Sequence, residues 1–122
     1  MIKLVFAVRR LPELSADEFH RYWREQHGPL AQRCLPLMGA KRYAQCHAID
    51  TPLNDVARQA RGAAEPYDGI AEVCWDSLED LQRAIADERA VHASAELLED
   101  ERKFIDLARS ALWFTQEEVL LG

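Results

Sequence analysis

The chain has 122 residues, a mass of 14.0 kDa and a formal net charge of −6, with 48% hydrophobic and 30% charged residues. This length predicts one domain over residues 1–122, and the composition excludes wholesale disorder, collagen and a disulfide-rich scaffold. Because the net charge is negative and the basic residues are scattered, nucleic acid and anionic membranes are not expected as partners.

The first predicted element is a buried strand at residues 2–9, IKLVFAVR, which is rich in β-branched and aromatic side chains. Its longest apolar run, residues 4–8, is five residues long, whereas a membrane-spanning helix needs about 20. The segment also lacks the basic flank and the cleavage site of a signal peptide. We therefore expect a cytoplasmic protein without membrane association.

A helix is predicted to begin after Ser15, where the sequence Ser-Ala-Asp-Glu has the pattern of a capping box. The apolar stripe of this helix starts at Phe19. The pair Gly28-Pro29 is expected to interrupt the helix, since proline suits the first turn of a new one. We therefore expect a kinked or two-part helix that ends near position 35.

The rest of the chain is predicted to alternate between strands and helices. Further strands are expected at residues 40–50, 67–76 and 110–119. Two more helices are expected between the last two strands, the first capped by Ser77. Residues 51–66 form a long loop with a short helical stretch at 56–60, and we expect this loop to be a mobile lid or pocket rim.

This order is β-α-β-β-α-β with the second helical region split in two, which predicts a ferredoxin-like α+β fold with a four-stranded antiparallel sheet. Apolar side chains occur at both parities of the strands, as in Val5 and Phe6 or Trp113 and Phe114. Helices would cover only one face of this sheet. The second apolar face predicts a homodimer joined sheet to sheet.

His27 is the first candidate for chemistry. It lies at the predicted helix break, where backbone carbonyls favour a cation, and histidine titrates close to neutral pH. It is therefore either an acid or base catalyst or a hydrogen-bonded structural residue. Trp23, on the same helix, is either a core residue or a ligand contact.

Two strand pairs are the next candidates. Tyr43 and His47 lie four residues apart, so strand alternation places them on one face, where they could polarise a small carbonyl or phenol. The alternative is a polar strand at a subunit edge. Glu72 is either a buried general base or an exposed carboxylate, and Cys74 is either a reactive thiol or a small core residue.

No metal or organic cofactor is expected, because the sequence has no HxxxH, HExxH, CxxC, GxGxxG or Walker A pattern. The three cysteines are interpreted as reduced thiols. The acidic run at residues 99–101 is interpreted as a solvated helix face.

Four segments together resemble the EthD-domain family over nearly the whole chain. They carry the patterns FxxYWxxxHGPL, RYxQxH, YDGIAExxW and DExxFxD at residues 19–30, 42–47, 67–75 and 100–106. The resemblance implies a dimeric α+β barrel with a pocket between the sheet and the helices of each subunit. It also places His27, Tyr43 and His47 in that pocket.

The resemblance further implies chemistry without a cofactor. The family takes its name from a gene cluster for ether-fuel breakdown, and relatives in fungal pathways act on polyketide intermediates as decarboxylases or dehydratases. Similar small barrels isomerise muconolactones or oxidise aromatic polyketides. The lactone-isomerising relatives look similar around Cys74, which makes this thiol a candidate proton shuttle.

We therefore predict a cofactor-independent enzyme that transfers protons beside the carbonyl group of a small cyclic or aromatic compound, by isomerisation, decarboxylation or dehydration. The expected catalytic residues are His27, Tyr43, His47 and Cys74, and the expected substrate-binding residues are Phe6, Trp23 and Glu72. Two alternatives remain: a non-catalytic ligand-binding protein of a degradation cluster, and a haem-binding barrel.

Overall fold

The computed structural model describes residues 1–122, which form one four-stranded sheet and five α-helices. The strands are β1 (Ile2–Val8), β2 (Arg42–His47), β3 (Gly69–Trp75) and β4 (Ala111–Gln116). The helices are α1 (Ala16–Tyr22), α2 (Gly28–Cys34), α3 (Leu53–Arg61), α4 (Leu78–Ile85) and α5 (Glu88–Glu101). Each of the four predicted strands is present, and each is shorter than predicted.

The sheet is antiparallel throughout, with strand order β2-β3-β1-β4. Within β1, the alternate residues Leu4, Phe6 and Val8 point to the side covered by the helices. The predicted ferredoxin-like α+β fold is confirmed. No helix is long and apolar enough to cross a bilayer.

The core lies between this face of the sheet and the helices. Its largest fully buried side chains are aromatic: Trp23, Trp75, Phe19 and Phe104. Phe104 lies three residues beyond the end of α5. The chain turns back there, and the Leu11 amide donates to the Phe104 carbonyl at 3.0 Å.

Helix α1 begins with the predicted capping box. The Ser15 hydroxyl accepts from the Glu18 amide at 3.1 Å, and the Glu18 carboxylate accepts from the Ser15 amide at 2.9 Å. The helix is in two parts, as predicted, but the irregular turn precedes Gly28-Pro29: a π-helical turn at Trp23–His27 joins α1 to α2, and Gly28 itself has helical dihedrals of φ −53° and ψ −52°. Helix α2 ends at Cys34, close to the predicted end at position 35.

The predicted loop at residues 51–66 contains helix α3, which is longer than the expected helical stretch and has no buried residue. Its apolar side chains Leu53 and Val56 are 70% and 62% exposed. A role for this segment as a lid or rim stays a prediction.

The sheet face away from the helices is largely open. Trp113 on β4 and Ile70 on β3 are 50% and 37% exposed there. Glu72 lies in the middle of this face, 3.5 Å from the Lys3 ammonium and 3.7 Å from the Arg42 guanidinium. The open face therefore combines exposed apolar side chains with one charged cluster.

Candidate active site

A cavity of about 280 Å³ lies between the sheet and the helices. Fifteen of its 18 lining residues are hydrophobic, among them Phe6, Trp23, Trp75 and Tyr43. The other three lining residues are His27, Ser94 and Glu101. A small apolar cavity with a few convergent polar groups is the usual form of a small-molecule site.

The π-helical turn sets the position of His27. Its wider turn closes with a hydrogen bond from the Gly28 amide to the Trp23 carbonyl, five residues back. The same carbonyl accepts a second hydrogen bond from the Gln45 side chain at 2.9 Å. The turn buries both Trp23 and His27, which are 1% and 5% exposed. Both rings line the cavity, and Trp23 also packs into the core.

His27 is held by a buried carboxylate. Its Nδ1 lies 2.8 Å from Oδ2 of Asp100, and Oδ1 of Asp100 accepts from the Tyr22 hydroxyl at 2.6 Å. A carboxylate can only accept, so His27 donates through Nδ1 and presents Nε2 as a bare base. Nε2 makes no hydrogen bond within the chain.

Burial lowers the pKa of His27, and the hydrogen bond and charge of Asp100 oppose this shift. Burial alone would raise the pKa of Asp100, but hydrogen bonds from Tyr22 and His27 outweigh it, and the pKa is lowered. Burial also raises the pKa of Tyr22 to about 12, with Asp100 adding to the shift. At neutral pH the group is thus a carboxylate, a neutral imidazole and a neutral phenol.

Glu101 brings a second titratable group to the cavity. Burial raises its pKa to about 7, and the charge of Asp100 adds to the shift. Glu101 is also the last residue of α5, where the helix dipole disfavours a negative charge. The carboxyl group is therefore close to half protonated at neutral pH and can either give or take a proton.

Tyr43 reaches the cavity from β2 and is held by Gln45. The Gln45 Nε2 group donates to the Tyr43 hydroxyl at 2.7 Å, while Oε1 accepts from Nε2 of His47 at 2.8 Å. Because the hydroxyl oxygen accepts from Gln45, its own proton is free for a ligand. Burial raises the pKa of Tyr43, and hydrogen bonds from Gln45 and Trp23 oppose the shift.

His47 does not line the cavity. Its ring packs behind Trp23 with the ring centroids 4.4 Å apart, and its Nδ1 lies 2.7 Å from Nδ1 of His20. Since Nε2 of His47 donates to Gln45, its Nδ1 is the acceptor and His20 is the donor. Burial lowers the pKa of both histidines, which favours this neutral pair. The chain of hydrogen bonds runs from Tyr43 to the half-exposed ring of His20.

The structure separates the predicted site residues into three groups. His27, Tyr43, Phe6 and Trp23 line one cavity, and His47 supports it from behind. Glu72 and Cys74 do not join them, because strand parity places both side chains on the opposite face of the sheet. Ile70, the third residue of β3 on this open face, lies beside them.

Three residues of the site were missed: Asp100, Glu101 and Gln45. The interpretation of residues 99–101 as a solvated face is wrong for two of the three, since only Glu99 is exposed. One signal was available, because acidic residues end α5 with no basic residue in its last turn, against the usual preference. No three His, Cys, Asp or Glu side chains converge in a group that could hold a metal ion.

The model of the EthD domain matches residues 11–108 of the sequence. The chain belongs to the EthD family. The sequence has no match among the curated proteins. In this EthD-domain protein, the matched region contains His27, Tyr43, Asp100 and Glu101.

Solved structures share the fold at low sequence identity. An EthD family protein from Bacillus halodurans C-125 is 19% identical, with a TM-score of 0.62, over 97% of this chain and 99% of that one. An EthD-like protein from Ralstonia eutropha JMP134 is 20% identical, with a TM-score of 0.62, over 99% and 95%. A dimeric ferredoxin-like protein of unknown function from Thermobifida fusca YX is 17% identical, with a TM-score of 0.53, over 93% and 88%.

Proposed function

We propose that this EthD-domain protein is a cofactor-independent enzyme that transfers protons beside the carbonyl group of a small cyclic or aromatic compound. The reaction class is isomerisation, dehydration or decarboxylation. One observation carries the proposal: an apolar cavity on which a bare imidazole nitrogen, a free phenol proton and a carboxyl group of pKa about 7 converge. Proton transfer next to a carbonyl needs these three roles.

His27 is the base in this scheme. Its Nε2 takes the proton from the carbon beside the carbonyl, and Asp100 stabilises the imidazolium that forms. Tyr43 donates its free proton as a hydrogen bond to the developing enolate oxygen, where a preorganised donor contributes most. Glu101 returns a proton to the carbon or to a leaving hydroxyl group, because its pKa allows both protonation states at neutral pH.

The test measures exchange of protons beside the carbonyl, so it needs no knowledge of the product. Small cyclic and aryl ketones are incubated with the protein in D₂O, and loss of the α-proton signal is followed by NMR. His27→Gln keeps the shape and removes the base, and it should slow exchange about 100- to 10,000-fold. His92→Gln is the matched control, since His92 is exposed on α5. Binding of ketones without any exchange would contradict catalysis.

That contradicting result would support the alternative, a non-catalytic ligand-binding protein, which the largely hydrophobic lining of the cavity favours. The haem-binding alternative has less support. The cavity of about 280 Å³ is small for a haem, and its lining has no lysine or arginine to pair with the haem propionates.

We also propose that the protein is a homodimer joined through the open sheet face, which remains uncovered around Trp113 and Ile70. The similar structure from Thermobifida fusca is described as dimeric. Light scattering should give about twice the chain mass of 14.0 kDa. Trp113→Lys should shift the protein toward the monomer, while Val91→Lys, at an exposed position of α5, should not. A wild-type monomer at micromolar concentration would refute the dimer.

A further inference from the structure

Among the residues that line the cavity, no side chain carries a permanent positive charge. Its 18 lining residues include no lysine and no arginine, and Glu101 is the only carboxylate among them. The other titratable lining groups are His27 and Tyr43. Because burial lowers the pKa of His27, its ring is neutral at neutral pH. The lining therefore offers an anion no counter-charge.

Cations near the site lie outside the cavity. The Lys103 ammonium is 3.6 Å from Oδ1 of Asp100, but its side chain is 62% exposed and it does not line the cavity. Asp100 already accepts from Tyr22 and His27 on its inner side. Asp100, which pairs with Lys103, therefore places a second carboxylate next to Glu101 at this end of the cavity.

We propose that this cavity selects uncharged ligands that carry a carbonyl oxygen and rejects carboxylates of the same shape. A neutral ketone needs only one hydrogen-bond donor, which Tyr43 supplies. A carboxylate could accept the same hydrogen bond, but it would be buried beside Glu101 without a counter-charge, which is strongly unfavourable. The inference rests on the proposed function only in taking this cavity as the ligand site.

This selectivity narrows the reaction class. Decarboxylation needs the carboxylate of the substrate inside the cavity, where the lining gives it no counter-ion. Isomerisation and dehydration act on uncharged ketones and hydroxyketones, so both remain. The enzyme would thus act on a ketone after any carboxylate has been removed or esterified by another reaction.

Acetophenone and benzoate form a matched pair of probes, because the methyl ketone and the carboxylate have nearly the same shape. Isothermal titration calorimetry at pH 8, where Glu101 is a carboxylate, should show benzoate binding at least about tenfold more weakly than acetophenone. Equal binding of the two probes would overturn the selectivity. If neither probe binds, the cavity is not a carbonyl site and the inference is wrong.

Glu101→Gln tests the source of the discrimination. It should tighten benzoate binding by about fivefold or more while changing acetophenone binding less than about twofold. Glu99→Gln, which changes an exposed glutamate on the same helix, is the control and should change neither. Lowering the pH from 8 to 6 protonates Glu101, which faces His27 and Tyr43 and neighbours Asp100. The same gain for benzoate should then appear in the wild type.

These experiments distinguish a failure of the proposed selectivity from a failure of the proposed catalysis. If acetophenone binds and benzoate does not, but no α-proton exchange occurs, the selectivity stands and the proposed catalysis fails. If exchange occurs with benzoate bound as tightly as acetophenone, catalysis stands and the selectivity fails.

Discussion

Nδ1 of His27 lies 2.8 Å from Oδ2 of Asp100, although 73 positions separate the two residues in the chain. The contact joins the π-helical turn after α1 to the end of α5. The contact fixes the tautomer of the imidazole. Burial lowers the pKa of His27, and the negative charge of Asp100 opposes that shift. The contact therefore makes His27 a stronger base than burial alone would leave it.

Asp100→Asn should lower the pKa of His27 further, because the variant removes the negative charge that opposes burial. A histidine NMR titration measures this pKa without any substrate. The rate of α-proton exchange should fall about 100-fold, within the range for a disabled acid–base pair. Asp106→Asn, which changes a half-buried aspartate in the next turn, is the control. An unchanged His27 pKa in Asp100→Asn would show that the carboxylate has no electrostatic role.

Gln45→Glu should reverse the hydrogen bond at Tyr43. A carboxylate only accepts, so the Tyr43 proton would point to the new side chain and away from the ligand. Infrared spectra of bound acetophenone give the readout, since a donor lowers the carbonyl stretching frequency. Gln45→Glu and Tyr43→Phe should both raise that frequency relative to the wild type. If Gln45→Glu leaves the frequency unchanged, Tyr43 is not held as a donor by Gln45.

Glu101 should make the protein less stable as the pH rises. Its pKa is about 7 in the folded state and 4.5 as a reference value, so the folded state binds more protons between these values. The stability it contributes is fully present below pH 4.5 and is lost as the pH rises through about 7.

Urea unfolding between pH 5 and pH 8 tests this. Glu101→Gln should be more stable than the wild type at pH 8, by at most about 3 kcal/mol, and the difference should shrink toward pH 5. Glu99→Gln should show no such trend, because its side chain is exposed. A constant difference across this range would place the Glu101 pKa near its ordinary value.

Gly69→Ala should destabilise the fold by about 1–3 kcal/mol through overpacking. A Cβ atom at this position would lie 2.5 Å from both the Trp23 ring and the Cys46 carbonyl oxygen. Trp23→Phe shortens the ring and should relieve part of this clash. A double-mutant cycle in chemical denaturation measures the coupling between the two changes. Strictly additive effects would mean that Gly69 does not make room for Trp23.

The sequence predicted the element order because each signal is local. Alternating apolar residues mark the strands, and Ser15 marks the start of α1. The sequence predicted an interruption at Gly28-Pro29, because this pair is common at helix starts, but the π-helical form of the turn before it cannot be read from composition. Helix α3 was underestimated because no buried stripe sets its length.

The site was only partly predictable for a different reason. His27 and Tyr43 stand out by residue type and parity, and strand parity also sends Cys74 to the other face once the inward residues of β3 are known. Asp100 and Glu101 look like surface residues because their role depends on packing against a segment more than 70 positions away. The tautomers of His47 and His20 follow from Gln45, whose two functional ends only the assembled structure reveals.

The π-helical turn carries a consequence for how this segment can change in evolution. Phe19, Trp23, His27, Ala31 and Leu35 recur at every fourth position and are all buried. In a regular α-helix that spacing drifts by about 40° at each step, and the wider turn takes up part of the drift. Arg24, Glu25 and Gln26 are exposed, so many residue types fit there. Deleting one of them would rotate His27 relative to Trp23, so the segment tolerates substitution far better than a change of length.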